Sequence, residues 1–183
     1  MKIISSLIAR GKFVLPFVAL ITLTQCGVSV QYSMIGTTTT AETISIAEFY
    51  NNAELGPANM AQTLTNELKN YFIQNSNLRV VPDEGELILE GEIMNYSISP
   101  IAPVSTGQGN RDITRASSTR LTITVRATYI NTLDEKMSFK DKTFSFYKDF
   151  PNDLNISDVE EQYVREIFER IINDIFNASV ANW

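Results

Sequence analysis

An α+β fold is predicted by three patterns in the sequence: a two-layer sandwich with two amphipathic helices on one face of a mostly antiparallel, four- to five-stranded sheet. Met60, Leu64, Leu68 and Phe72 recur every four residues, the spacing of one helix face. Leu121, Ile123, Val125, Ala127 and Tyr129 alternate strictly with Arg120, Thr122, Thr124, Arg126 and Thr128, as in a strand with one buried side. Val159, Val164, Ile167, Phe168, Ile171, Ile172, Ile175 and Phe176 then keep a helical period to about Ala178.

The elements follow in order. Residues 43–50 carry Ile44 and Ile46 on one parity and Phe49 on the other, a first strand closed by Asn51, Asn52, Gly56 and Pro57. Pro57 suits the first turn of a helix over 58–74, where its missing N–H is not needed. A short strand at 78–82 and a turn at 83–86 lead to a strand over 87–98. Leu87, Leu89 and Ile93 face one side of it, Glu90 and Glu92 the other. Residues 100–118 form a long insertion with Pro103, Gly107 and Gly109, and loops of that length are usually functional or disordered. The strand over 119–130 and a turn at 131–136 precede a last strand over 137–148. Its apolar parity shifts between Phe139 and the pair Phe144 and Phe146, predicting a bulge or a strand apolar on both faces. Ser157 and Glu160 have capping-box spacing at the start of the second helix, whose early acids suit the helix dipole. Both helices are expected to cover the apolar sheet face.

Composition removes most catalytic chemistry. The 183 residues include no histidine and one cysteine, so no imidazole base, zinc knuckle or internal disulfide is available. A formal charge of −6 argues against nucleic acid, whose binders present basic faces to release counterions. No cofactor or metal is called for. Glu84 with Glu86, Glu90 with Glu92, and Asp134 with Glu135 lack the ligand periodicity of a calcium loop, and spacing alone does not build a glycosidase pair. They read as solvated turn and strand acids, with Glu90 and Glu92 placed to pair with Arg120 and Arg126. No enzyme activity is expected.

The cysteine stands at a telling place. Lys2, Arg10 and Lys12 precede an apolar run over 13–23 that is too short to span a bilayer, the layout of a secretory signal. Cys26 follows at Leu23-Thr24-Gln25-Cys26, where a bacterial lipoprotein would be cleaved and diacylated, although a small residue normally stands where Gln25 does. An ordinary cut nearby would instead leave a stray thiol. The expected organisation is a lipoprotein signal over 1–25, a lipidated N-terminus and tether over 26–42, and one domain over 43–183. Losing residues 1–25 removes three basic residues and no acid, which takes the charge to −9. Bulk charge then repels an anionic membrane, so attachment falls to the acyl chains, at about 0.8 kcal/mol per buried methylene. No acid follows Cys26 closely, and a periplasm-facing outer-membrane anchor is the default. Among the few basic residues left, Arg111, Arg115, Arg120 and Arg126 are the candidates for anion contact. Lys140, Lys142 and Lys148 lie on the last strand.

The residues that follow Cys26 resemble the LptE-type lipopolysaccharide-assembly lipoproteins, particularly those of the Bacteroidetes. The segments that carry the resemblance are TISIAEFY from Thr43, LRVV from Leu78, LEGEIMNYSISPIAP from Leu89, RLTITVRATYIN from Arg120 and DIFNASVANW from Asp174, taken in order. The resemblance implies two helices on a mostly antiparallel sheet, without enzyme activity. It implies anchorage in the inner leaflet of the outer membrane and a place in the lumen of an LptD-type β-barrel, as plug and assembly factor. It also implies contact with lipopolysaccharide. Only Cys26, the lipidated position, carries over residue by residue. The competing expectation is a free periplasm-facing lipoprotein that captures an anionic glycolipid or glycan.

Overall fold

The computed structural model describes residues 40–101 and 118–181. Cys26, the tether, and Arg111 and Arg115 in the long insertion lie outside the described residues. Among the described residues six strands form one sheet: β1 (Thr43–Ile46), β2 (Tyr50–Asn51), β3 (Arg79–Val81), β4 (Leu87–Ile101), β5 (Ser118–Asn131) and β6 (Phe139–Pro151). The helices are α1 (Met60–Asn75) and α2 (Ile156–Ser179), with a 3-10 turn at Glu135–Met137.

The strand order is β3-β1-β4-β5-β6, with β2 pairing beside β1 on β4. The predicted sandwich is therefore present, but its sheet is mixed and has six strands. β4, β5 and β6 are antiparallel, whereas β1 runs parallel to both β3 and β4, and β2 parallel to β4. The parallel half follows from α1, which connects β1 to β3 and returns the chain in the same direction, as a crossover helix does. The chain between β3 and β4 then passes across β1. Gly85 is fixed there by contact: a Cβ at this position would stand 2.4 Å from the Ser45 nitrogen. Glu86 closes the crossing by accepting the Glu42 N–H at 2.6 Å and the Thr43 N–H at 3.2 Å. Those bonds, the Glu42 amide foremost, hold its carboxyl below the usual range.

One core fills the space between sheet and helices. Leu87, Leu89 and Ile93 from β4 and the five alternate residues of β5 meet Leu64, Leu68 and Phe72 of α1 and Ile167, Phe168, Ile171 and Ile175 of α2. The Phe72 and Phe176 rings join the helices edge to face, with centroids 5.1 Å apart. Buried Thr65 ties α1 to the strand segment: its hydroxyl accepts the Phe49 N–H at 3.0 Å and donates to the Ala61 carbonyl at 2.8 Å. Phe49, of odd parity in the sequence, is buried because the chain leaves β1 before it reaches β2. Its ring lies over Gly91, where an added Cβ would come 2.6 Å from the ring and 2.4 Å from the Arg126 carbonyl oxygen.

Two irregularities reset parity. Met94 is the extra residue of a bulge in β4, so Tyr96 rather than an odd-numbered residue turns inward beyond it. In β6 the register slips between the pairs Tyr129–Phe139 and Ala127–Lys142, with Asp141 at φ 52°, and this is the bulge expected from the phenylalanine pattern. The capping box does not form. Asn155 caps α2, its side chain accepting the Ser157 N–H, while Glu160 accepts the phenol of Tyr96 at 2.6 Å. A buried phenol needs an acceptor, and Glu160 is better used there than at the helix start.

Candidate functional site

Both helices lie on one face of the sheet, and the opposite face of β4, β5 and β6 carries a polar ladder. Its rungs follow from the register: Ser99, Arg120 and Asp149; Ser97, Thr122 and Tyr147; Asn95, Thr124 and Ser145; Glu92, Arg126 and Thr143. The middle rungs are hydroxyls and an amide, joined where Thr124 and Ser145 hydroxyls meet at 3.0 Å. Arg120 and Arg126 stand at the two ends, six positions and so about 20 Å apart.

Each arginine has its own carboxylate. Arg120 donates from Nε and Nη2 to the two oxygens of Asp149 at 2.7 and 2.8 Å, and its guanidinium stacks 3.6 Å above the Tyr147 ring. The guanidinium holds the Asp149 carboxyl below its ordinary value. Arg126 donates from Nε and Nη2 to Glu92 Oε1, and Glu92 Oε2 accepts the side-chain amide of Asn52. Arg126 is the main cause of a lowered Glu92 pKa. Beside this pair, Tyr50, Glu90, Thr128 and Asp141 join it around a surface cavity of about 300 Å³. Among the described residues, no three His, Cys, Asp or Glu side chains gather as a metal cage.

Of the sequence-predicted contacts, Arg126 does meet Glu92. Arg120 does not meet a glutamate of β4, because the register puts it opposite Ser99 and beside Asp149. Arg120 and Arg126 share a face but not a cluster, and Arg111 and Arg115 lie outside the described residues. Asp149 and Tyr147 were not picked out from sequence. The spacing that would have revealed them is hidden by the β6 bulge.

The two arginines of this face are each paired with a carboxylate. What the face offers is a hydrated, hydroxyl-rich surface on a firmly packed sheet. The arrangement is that of a two-layer α+β protein, with helices covering one face of the sheet and the other face left polar. The match to known proteins gives the particular family: residues 41–179 match the model for "Lipopolysaccharide-assembly", LptE, and the chain belongs to that family. A search of curated proteins finds no match. The fold is similar to a hypothetical protein of Chlamydia trachomatis, at 11% identity and a TM-score of 0.50, over 78% of this chain and 99% of that one. It is also similar to a minor lipoprotein of Acinetobacter baumannii (14% identity, TM-score 0.46, 75% and 91% of the two chains). Lipoprotein B of Nitrosomonas europaea is a third (15%, 0.44, 74% and 79%). No helix among the described residues is long and apolar enough to cross a membrane.

Proposed function

We propose that this protein is a lipid-anchored, non-enzymatic accessory subunit of the outer-membrane lipopolysaccharide translocon. It occupies the lumen of an LptD-type β-barrel, assists its assembly and helps lipopolysaccharide reach the surface. The observation that carries the reading is the family match across 41–179. The polar ladder supports it physically, because barrel interiors are hydrated and polar while their outer walls are apolar. The anchor is the acylated thiol of Cys26, which leaves the domain facing the periplasm. Arg120 and Arg126, with Arg111 and Arg115 of the insertion, are the positions for contact with lipopolysaccharide phosphates, the first two by exchanging a carboxylate partner.

Purification from native outer membranes tests this. The expected result is a stoichiometric complex with one large β-barrel, and release of the protein from membranes when Cys26→Ser removes the acylated thiol. A chain that purifies alone under gentle detergent contradicts the reading. Strong, salt-sensitive binding of a free anionic glycan by the isolated protein, abolished by charge reversal at Arg111, Arg115 and Arg120, would instead favour a free glycolipid-binding lipoprotein.

A further inference from the structure

The outward row of β5 is polar from Arg120 to Thr128 and then changes: its next residue is Ile130, 41% exposed and opposite Ile88 of β4. Further on, in the β5–β6 turn, Leu133 is 53% exposed. An exposed apolar side chain standing alone needs no explanation. These two stand where the N-terminal segment joins the fold. Glu86, whose carboxylate accepts the Glu42 N–H, gives its backbone carbonyl to the Thr132 N–H at 3.0 Å and to the Thr132 hydroxyl at 2.8 Å. One residue thus ties the entering chain to the start of the turn.

Lys136 and Lys140 flank the turn, both exposed and, among the described residues, without an ion pair. Asp134 uses its carboxylate locally, to accept the Lys136 N–H at 3.1 Å. Asp83, Glu84 and Glu135 are exposed at the same end of the sheet. Bulk charge therefore does not draw this end to an anionic surface, and a contact there has to be made by the apolar side chains.

We infer that the β5–β6 turn is a membrane-contact element: Leu133 and Ile130 enter the boundary between headgroups and acyl chains, in the leaflet that holds the anchor. Lys136 and Lys140 then lie at the level of the lipid phosphates, where long basic side chains keep their charge in water. The inference rests on the reading of Cys26 as an acylated anchor and goes beyond it, by giving the folded domain a face toward lipid. Residues 26–39 reach at most about 50 Å when extended, so the anchor alone leaves the domain free to turn. Two apolar side chains do not hold a free protein to a bilayer. A tethered one needs far less, because the anchor keeps the turn at high local concentration beside the surface. The contact fixes which end of the polar ladder faces the membrane: Arg126 lies nearer the lipid and Arg120 farther from it.

The test uses the mature chain with Trp183→Phe, held by an N-terminal histidine tag on vesicles of phosphatidylethanolamine with brominated chains and a nickel-chelating lipid. A single tryptophan is introduced by Leu133→Trp or, as a control with the same interfacial preference, by Thr124→Trp. Bromine quenching at position 133 is expected to be at least about threefold stronger than at 124. Adding Ile130→Ser, an exposed change, should roughly halve the quenching at 133 while the thermal unfolding midpoint stays near that of the parent. Equal quenching at the two positions, none at 133, or no response to Ile130→Ser overturns the inference. So does quenching at 133 that changes with protein density on the vesicle, the mark of a second copy covering the turn. Because the tag imposes the tether, these outcomes are separate from acylation of Cys26, which is read from the mass of the native chain.

Discussion

Two rows of side chains on β5 share one backbone and meet opposite demands. Leu121, Ile123, Val125, Ala127 and Tyr129 are fully buried under the helices, while Arg120, Thr122, Thr124, Arg126 and Thr128 remain partly in solvent. On the buried row, energy comes from removing apolar area from water and from close packing. On the open row it comes from a few charge-assisted bonds whose partners are set by register. The first kind of interaction tolerates no gap; the second can be exchanged for a ligand or another protein without unfolding the sheet.

The sharpest way to break the comparison is to cut both rows equally. Ile123→Ala should cost about 2–5 kcal/mol in denaturant unfolding through the cavity it leaves, whereas Thr122→Ala, one position away, should stay within about 0.5 kcal/mol. Similar losses at the two sites would mean that the open row is packed after all.

Overfilling should be felt nearly as strongly. Gly91→Ala puts a methyl against the Arg126 carbonyl and the Phe49 ring, and a loss of about 1–3 kcal/mol is expected. A smaller effect comes from Tyr96→Phe, which deprives Glu160 of its hydrogen bond and should cost about 1 kcal/mol by the same measurement.

The smallest effect is in pH dependence, and it has opposite signs in the two regions. Glu92 and Asp149, on the open face, have carboxyls held below 4.5 and 3.8 by their arginines. Their contribution is complete above those values and is lost as pH falls through the depressed folded-state values. Glu67, at the α1–α2 cleft, is raised above 4.5, chiefly by burial, and its Oε2 is buried without a hydrogen bond. Its protonated form is favoured in the fold, so the stability it confers is present below pH 4.5 and lost as pH rises through the raised value. Thermal melts across this range should show Arg126→Gln softening the acid limb and Glu67→Gln removing the loss above pH 4.5. A Glu67→Gln profile that parallels the parent would show that the cleft leaves this carboxyl unperturbed.

The difference between the two rows also governs how much of the molecule was legible in its sequence. Periodicity is a statement about burial, so the buried row of β5 and the stripe from Met60 to Phe72 were readable residue by residue. Ion pairs are statements about register, and register depends on bulges. Met94 and Asp141 each shift it by one, which is why the Arg126–Glu92 pair could be read and the Arg120–Asp149 pair could not. The parallel placement of β1 and β3 escaped for a related reason. Their short apolar runs look alike in either direction, and only the crossover through α1 orients them. The capping box failed because Ser157 and Glu160 satisfy a local rule while Tyr96, distant in sequence, makes the stronger claim on Glu160. The candidate site was thus half visible: the strand and its arginines were, their partners were not.

In the proposed role the open face meets a barrel interior while the helices hold the sheet in shape. A photo-crosslinking residue at Thr124, in the middle of the ladder, tests this most directly when the protein is expressed in its own outer membrane. An adduct with a single large outer-membrane β-barrel, in high yield, is the predicted result. A Thr124 residue that crosslinks to no barrel, in a chain otherwise correctly anchored and folded, would contradict it.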